Sequence, residues 1–115
     1  MMPPQLTLNL VAGSVSFRFT ADAARELQQA IAQLMQSLKA VAQTPGSGKP
    51  TPQKPMEYRH SEEVFLEVFC NPNIWPSPFA AKVLITLRDD RIRLSTEAEL
   101  TRLIEDVNQF LEQVG

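Results

Sequence analysis

Two short segments near the amino terminus alternate apolar and polar side chains. Leucine occupies every second position from residue 6 to residue 10, and residues 15, 17 and 19 repeat the pattern with valine and phenylalanine. A period of two is typical of a strand with one buried face. Gly13 lies between the segments and can adopt positive φ. The pattern therefore predicts a β-hairpin.

After Thr20 the apolar period lengthens to three and four residues. Thr20 is a suitable helix N-cap, and Asp22 would lie in the first turn, where the helix dipole favours a negative charge. The apolar positions are Leu27, Ile31, Leu34, Leu38 and Val41. They form one face of an amphipathic helix, which we expect over residues 21–43.

A linker and a second set of elements follow. Residues 44–55 hold four prolines, two glycines and no large apolar side chain, which predicts an exposed linker over residues 44–56. Residues 64–70 are apolar on both faces, as in a central strand, and His60 is expected in a loop before that strand. Residues 82–94 alternate around a turn at 88–91. Residues 96–99 have capping-box spacing, which predicts a second helix running to the carboxyl terminus.

The two halves repeat one pattern, because aligning Thr20 with Thr96 superimposes the apolar positions of both predicted helices. We therefore expect an α+β protein of two hairpin–helix units, over residues 1–43 and 57–115. Together they would form one compact domain spanning 1–115. Its antiparallel sheet would contain about five strands, with both helices packed on one face.

Charge is unevenly distributed: residues 1–56 carry a net charge of +3 and residues 57–115 a net charge of −5. Strand parity places Arg18, Arg91 and Arg93 on the uncovered sheet face, with the aromatic residues Phe65 and Phe69. The second helix would carry the carboxylates Glu97, Glu99, Glu105, Asp106 and Glu112. This separation predicts a basic open sheet face above an acidic helix layer.

The sequence contains no motif for catalysis, metal binding or a cofactor. His60 is the only histidine and Cys70 the only cysteine, and a whole strand is expected between them. A nucleophile needs a base within reach, and no metal-ligand spacing is present. We therefore predict a non-enzymatic protein without a cofactor.

The proline-rich segment 71–79 is the best candidate for a binding surface. It carries Ile74, Trp75 and Phe79, and its prolines reduce the entropy lost on docking. An alternative is that Trp75 and Phe79 simply cover the core. With the three arginines Arg18, Arg91 and Arg93, these residues form the predicted partner-binding set.

The expected cellular location and the expected lack of a membrane span are both predicted from features that the sequence lacks. No run of about 18 apolar residues is present, and the first residues lack the pattern of a secretory signal. A single cysteine fits a reducing compartment. These features predict a cytoplasmic protein without a membrane span.

The segments 63–76, 82–87 and 96–100 together resemble a family of small uncharacterised cyanobacterial proteins. The resemblance covers residues 57–115. It implies a cytoplasmic accessory protein that serves the photosynthetic or carbon-fixing machinery, and it transfers no functional residues.

The leading prediction is a protein–protein interaction domain that acts as an assembly or regulatory accessory factor, with a homodimer left open. The alternative is single-stranded nucleic-acid binding on the basic sheet face. The near-neutral charge of the chain does not favour nucleic acid as a partner.

Overall fold

The computed structural model describes residues 4–42 and 52–114. Within these ranges the elements are β1 (Gln5–Leu10), β2 (Gly13–Arg18), α1 (Ala21–Ala42), β3 (Met56–Ser61), β4 (Phe65–Cys70), a 3₁₀ turn (Pro72–Ile74), β5 (Lys82–Arg88), β6 (Arg93–Glu99) and α2 (Leu100–Val114). The α+β class is confirmed. The predicted single sheet of five strands is wrong, because the described strands form a two-stranded sheet, β1-β2, and a four-stranded sheet in the order β3-β4-β5-β6.

The amino-terminal hairpin forms as its alternation predicts. β1 and β2 pair antiparallel from Gln5↔Arg18 to Leu10↔Gly13. Gly13 has a φ of 115°, a value that side-chain-bearing residues rarely adopt. Leu6, Leu8 and Phe17 are buried on one face of the hairpin.

Helix α1 begins where the capping signal predicts. The Thr20 hydroxyl accepts a hydrogen bond from the Ala23 N–H at 3.1 Å, and Asp22 pairs with Arg25 at 2.9 Å. Four of the five predicted apolar positions are buried, namely Leu27, Ile31, Leu34 and Leu38. The helix is described as far as Ala42, and the predicted last residue, Gln43, lies outside the described residues.

The predicted linker is described only from residue 52 onward, since residues 44–51 lie outside the described part. Met56, which the prediction assigned to the linker, is the buried first residue of β3. His60 lies within β3, opposite Leu66 of β4. The prediction of a loop histidine is therefore wrong, and one strand of the sheet was missed.

The predicted capping box is also wrong. Residues 96–99 belong to β6 and pair with β5, for example Thr96 with Ile85. Helix α2 begins directly afterwards at Leu100, whose N–H donates to the carbonyl of Ala81 at 3.0 Å. Glu97 and Glu99 are therefore sheet residues and not helix residues.

One buried cluster joins all the elements. The inner face of the four-stranded sheet is the face that carries Tyr58, Val68 and Ile85. It packs against α1, and the Tyr58 hydroxyl donates to the Ala23 carbonyl at 3.0 Å. The opposite, outer face of this sheet carries alternate residues such as Phe69.

Besides the packing of its buried side chains, three polar contacts between described residues connect the hairpin to the rest of the molecule. The Val11 N–H donates to the Glu97 carbonyl at 3.0 Å, and Arg18 forms an ion pair with Glu63 at 3.2 Å. The third contact joins Asn9 of β1 to Asp106 of α2. The Asp106 carboxylate accepts the Asn9 backbone N–H at 2.8 Å and the Asn9 side-chain amide at 2.9 Å.

Candidate functional site

The six predicted partner-binding residues lie in two separate groups at opposite ends of β5. One group, in residues 74–79, precedes the first residue of β5. The other is near the β5–β6 turn that follows its last residue. A strand of seven residues spans about 20 Å at roughly 3.3 Å per residue. The two groups are therefore distinct surfaces.

The loop over residues 71–79, called here the 71–79 loop, is fixed by side-chain hydrogen bonds. Asn71 accepts from the backbone and side-chain N–H groups of Asn73 at 3.0 and 2.9 Å. Asn73 in turn accepts from the Gln53 N–H at 2.7 Å and donates to the Gln53 carbonyl at 2.8 Å. The segment before β3 is thereby tied to the loop after β4, and this bond pattern holds the first half of the loop in place.

The three large apolar residues of this loop have different surroundings. Ile74 is 66% exposed and Phe79 is 84% exposed. Trp75 is half-buried and packs against the core. Trp75 therefore attaches the loop to the sheet, whereas Ile74 and Phe79 project into solvent.

The second group lies at the β5–β6 turn, where an aspartate fixes the backbone. The Asp89 carboxylate accepts the N–H groups of Arg91 and Ile92, both at 2.8 Å. These two hydrogen bonds lower the pKa of Asp89. Arg91 and Arg93 are exposed on either side of Ile92, so the turn presents two cations and an apolar side chain.

A cleft of about 300 Å³ separates this turn from the hairpin. Its apolar walls are formed by Val15, Phe17, Val64, Leu87, Ile92 and Leu94. Arg18, paired with Glu63, lies at its rim. Arg18 therefore belongs to the turn end of the molecule, and its charge is already compensated within the chain.

The outer sheet face is not the basic surface that the sequence predicted. Its cations are Arg59, Lys82, Arg88 and Arg93, and its carboxylates are Glu57, Glu67, Glu97 and Glu99. Several of these groups are paired: Arg59 contacts Glu67 at 2.6 Å, and the Arg88 guanidinium lies over the Phe65 ring at 4.4 Å. The four positive and four negative side chains leave this face without net charge.

The acidic helix layer is also altered. Asp106 is only 5% exposed, and its carboxylate bonds to Asn9 instead of facing solvent. The sequence pattern of the helix indicates that position 106 is buried. Asp106 is three residues after Leu103 and four before Phe110, both of which are buried on the same face of α2. A polar residue on an apolar stripe indicates a buried partner.

The two residues with reactive side chains are far apart and differently placed. Cys70 pairs with Met56 and His60 pairs with Leu66, so four residues of strand, about 13 Å, separate them. Burial raises the pKa of the Cys70 thiol to about 11, against a smaller lowering effect of its hydrogen bond with Trp75. The His60 Nε2 atom is 3.0 Å from a Glu62 carboxylate oxygen, and the ring stacks edge-on against Phe19.

The described residues bring together no group of three or more His, Cys, Asp or Glu side chains that could hold a metal ion. Neither α1 nor α2, the helices of the described part, is long and apolar enough to cross a membrane. Comparisons with protein families, with curated proteins and with solved structures find no match to this chain.

Proposed function

We propose that this chain is a non-catalytic protein-interaction domain that docks a partner protein through Ile74 and Phe79. In this proposal the domain acts as an assembly or regulatory accessory factor. The observation that carries it is the exposure of these two side chains on a loop that is fixed at both of its attachments. Exposed apolar groups of this size on an ordered loop are typical of binding anchors.

The order of the loop supports this interpretation. Asn71, Asn73 and Gln53 hold one side of it, and Trp75 packs into the core beside Ile74. On the other side, the N–H groups of Ala80 and Ala81 donate back to residues 77 and 78 at 3.2 and 3.4 Å. A loop that is already ordered loses little conformational entropy on docking, so more of the burial energy appears as affinity.

The partner that fits this loop presents an apolar pocket. Burying a side chain such as isoleucine or phenylalanine contributes roughly 1.5–3 kcal/mol. Loss of either anchor should therefore weaken binding by about tenfold to a hundredfold. Arg91 and Arg93 lie too far away to contribute to the same pocket. They would reach a partner only if it extends along the sheet.

Nucleic-acid binding, the alternative prediction, gains no specific support from the outer sheet face. Four carboxylates on that face offset its four cations. Phosphate recognition requires uncompensated Lys or Arg side chains. The protein-interaction proposal is therefore the one that the geometry favours.

The test uses capture from source lysate with three tagged proteins. These are the wild type, the Ile74→Ser/Phe79→Ser double variant, and Ile92→Ser as a matched control. Ile92 is 67% exposed at the far end of β5, so its replacement removes similar apolar surface elsewhere. Circular dichroism and thermal melting establish that all three are folded.

We expect the wild type and Ile92→Ser to retain the same stoichiometric protein after nuclease treatment, and the double variant to lose it. Equal capture by the wild type and the double variant would refute the loop as the docking site. Recovery that disappears with nuclease would move nucleic acid to first place.

A further inference from the structure

The edges of the two sheets are occupied to different extents. In the described residues, β6 is met by the hairpin through the Val11–Glu97 hydrogen bond, and β1 is met by α2 through Asp106. The outermost strands of the two sheets are β1, β2, β3 and β6. Of these, β2 and β3 make no backbone hydrogen bond to a further element within the described part of the chain. A free strand edge is a template for pairing with another strand.

The charges on the two free edges differ. On its outer face β3 carries Glu57 and Arg59, separated by Tyr58 on the inner face. β2 carries a single charged residue, Arg18, and therefore has no charge of opposite sign on the same strand. Only β3 therefore combines opposite charges two residues apart, which is the spacing that lets a strand complement an antiparallel copy of itself.

We infer that β3 pairs antiparallel with β3 of a second copy of this chain, with Tyr58 on the two-fold axis and Glu57 opposite Arg59 of the partner. This pairing joins two four-stranded sheets into one. The inference is independent of the loop docking proposed above, because the 71–79 loop is not on the β3 edge.

Symmetry and charge together select this register. In the joined sheet, the helices of both copies must lie on the same side. Two residues that face each other across the β3–β3 contact must therefore both belong to the outer face, or both to the inner face, of their own sheets. The axis must then pass through a residue of β3. An axis at residue 57 places two glutamates together, and an axis at residue 59 places two arginines together. An axis at Tyr58 creates two Glu–Arg pairs instead.

The same charges protect β3 from other strands. A charged edge discourages pairing with strands that cannot neutralise it, and Pro52 and Pro55 lie just before the strand and limit its extension. Glu57 and Arg59 are both exposed. Arg59 contacts Glu67 of its own chain at 2.6 Å, so the pairing continues an existing row of alternating charges across the sheet.

The experiment measures the oligomeric state by sedimentation equilibrium over a wide concentration series. The variants are Glu57→Lys, and Arg59→Glu combined with Glu67→Arg so that the ion pair within the chain is preserved in reversed polarity. Each variant alone brings like charges together in the proposed register. Their mixture restores both opposite-charge pairs. The lysine introduced at position 57 of one variant faces the glutamate introduced at position 59 of the other, and the unchanged Arg59 of the first faces the unchanged Glu57 of the second.

We expect the wild type to dimerise, each variant alone to dimerise roughly tenfold or more weakly, and the equimolar mixture to recover the dimer as a heterodimer. The Ile74→Ser/Phe79→Ser variant should dimerise like the wild type. A wild type that stays monomeric throughout the series would overturn the inference. So would a folded mixture that fails to associate, or a dimer that is lost on changing the 71–79 loop.

Discussion

Asp106 is the residue whose replacement most directly tests how the hairpin is held. Its carboxylate is buried and accepts two hydrogen bonds from Asn9, a residue 97 positions away in the chain. The Asp106→Ala substitution removes both bonds and leaves the Asn9 backbone N–H without this acceptor. We therefore expect a loss of stability that exceeds the effect of a surface substitution.

The magnitude follows from the number and type of the bonds. A hydrogen bond to a charged group contributes about 1.5–3 kcal/mol to stability. Removing the carboxylate also removes its own desolvation cost, which offsets part of that contribution. A net loss of about 2–4 kcal/mol is therefore expected. Given a urea m-value of about 2 kcal/mol/M, the unfolding midpoint should fall by about 1–2 M.

Urea unfolding can be followed through the fluorescence of Trp75, the only tryptophan in the chain. Asp106→Asn keeps one acceptor oxygen for the Asn9 N–H and should lose only about 1 kcal/mol. Glu105→Ala is the matched control, since Glu105 is exposed and lies 3.7 Å from Arg102. It should cost less than about 0.5 kcal/mol. An Asp106→Ala loss as small as that of the control would refute the proposed role of the carboxylate.

Two further predictions concern titrating groups. Burial raises the pKa of Cys70 to about 11. We therefore expect thiol reagents to label the native protein only as fast as it unfolds, and urea to accelerate the labelling. Rapid labelling without denaturant would contradict the buried position of the thiol. Hydrogen bonds from the Arg91 and Ile92 N–H groups lower the pKa of Asp89, so their stabilising effect on the turn is present above the ordinary aspartate pKa of about 3.9 and is lost as pH falls through the lower folded value. In an NMR titration the Arg91 and Ile92 amide shifts should move with the Asp89 carboxyl at a midpoint below about 3.9, and a midpoint above it would disprove the bond pattern.

The helices and most strands could be predicted because their periodicity reflects local burial. Leu27, Ile31, Leu34 and Leu38 occupy one face of α1 whatever the helix packs against. β3 was missed although Met56 and Tyr58 alternate with Glu57 and Arg59. Its alternation is short and charged, as expected for an edge strand, and it directly follows a proline-rich segment.

The errors concern partners that are distant in the sequence. Thr96 has the spacing of a helix cap, but its backbone pairs with Ile85, and tertiary pairing overrides the local capping signal. The division of the strands into two sheets could not be predicted, because the periodicity of a strand does not specify which other strand it pairs with. In this fold α2, through Asp106, occupies the edge of β1.

For the candidate site, the sequence pointed to a loop but not to the surroundings of its side chains. The sequence located the apolar side chains of the 71–79 loop, but it could not distinguish Ile74, which is exposed, from Trp75, which packs on the core. The arginines were placed on one face with the aromatic residues by strand parity. Strand parity does not show whether a charge is neutralised by a nearby residue of opposite charge, as Arg18 is by Glu63.

The contact between Asn9 and Asp106 also has a consequence for the order of folding. The four-stranded sheet joins consecutive strands, so each of its pairings closes only a short segment of chain. The Asn9–Asp106 contact instead closes almost the whole chain, and the entropic cost of closure grows with loop length. The carboxyl-terminal strands can therefore assemble first, with the hairpin docking late. On such a route the loss of Asp106 accelerates unfolding and leaves the folding rate nearly unchanged.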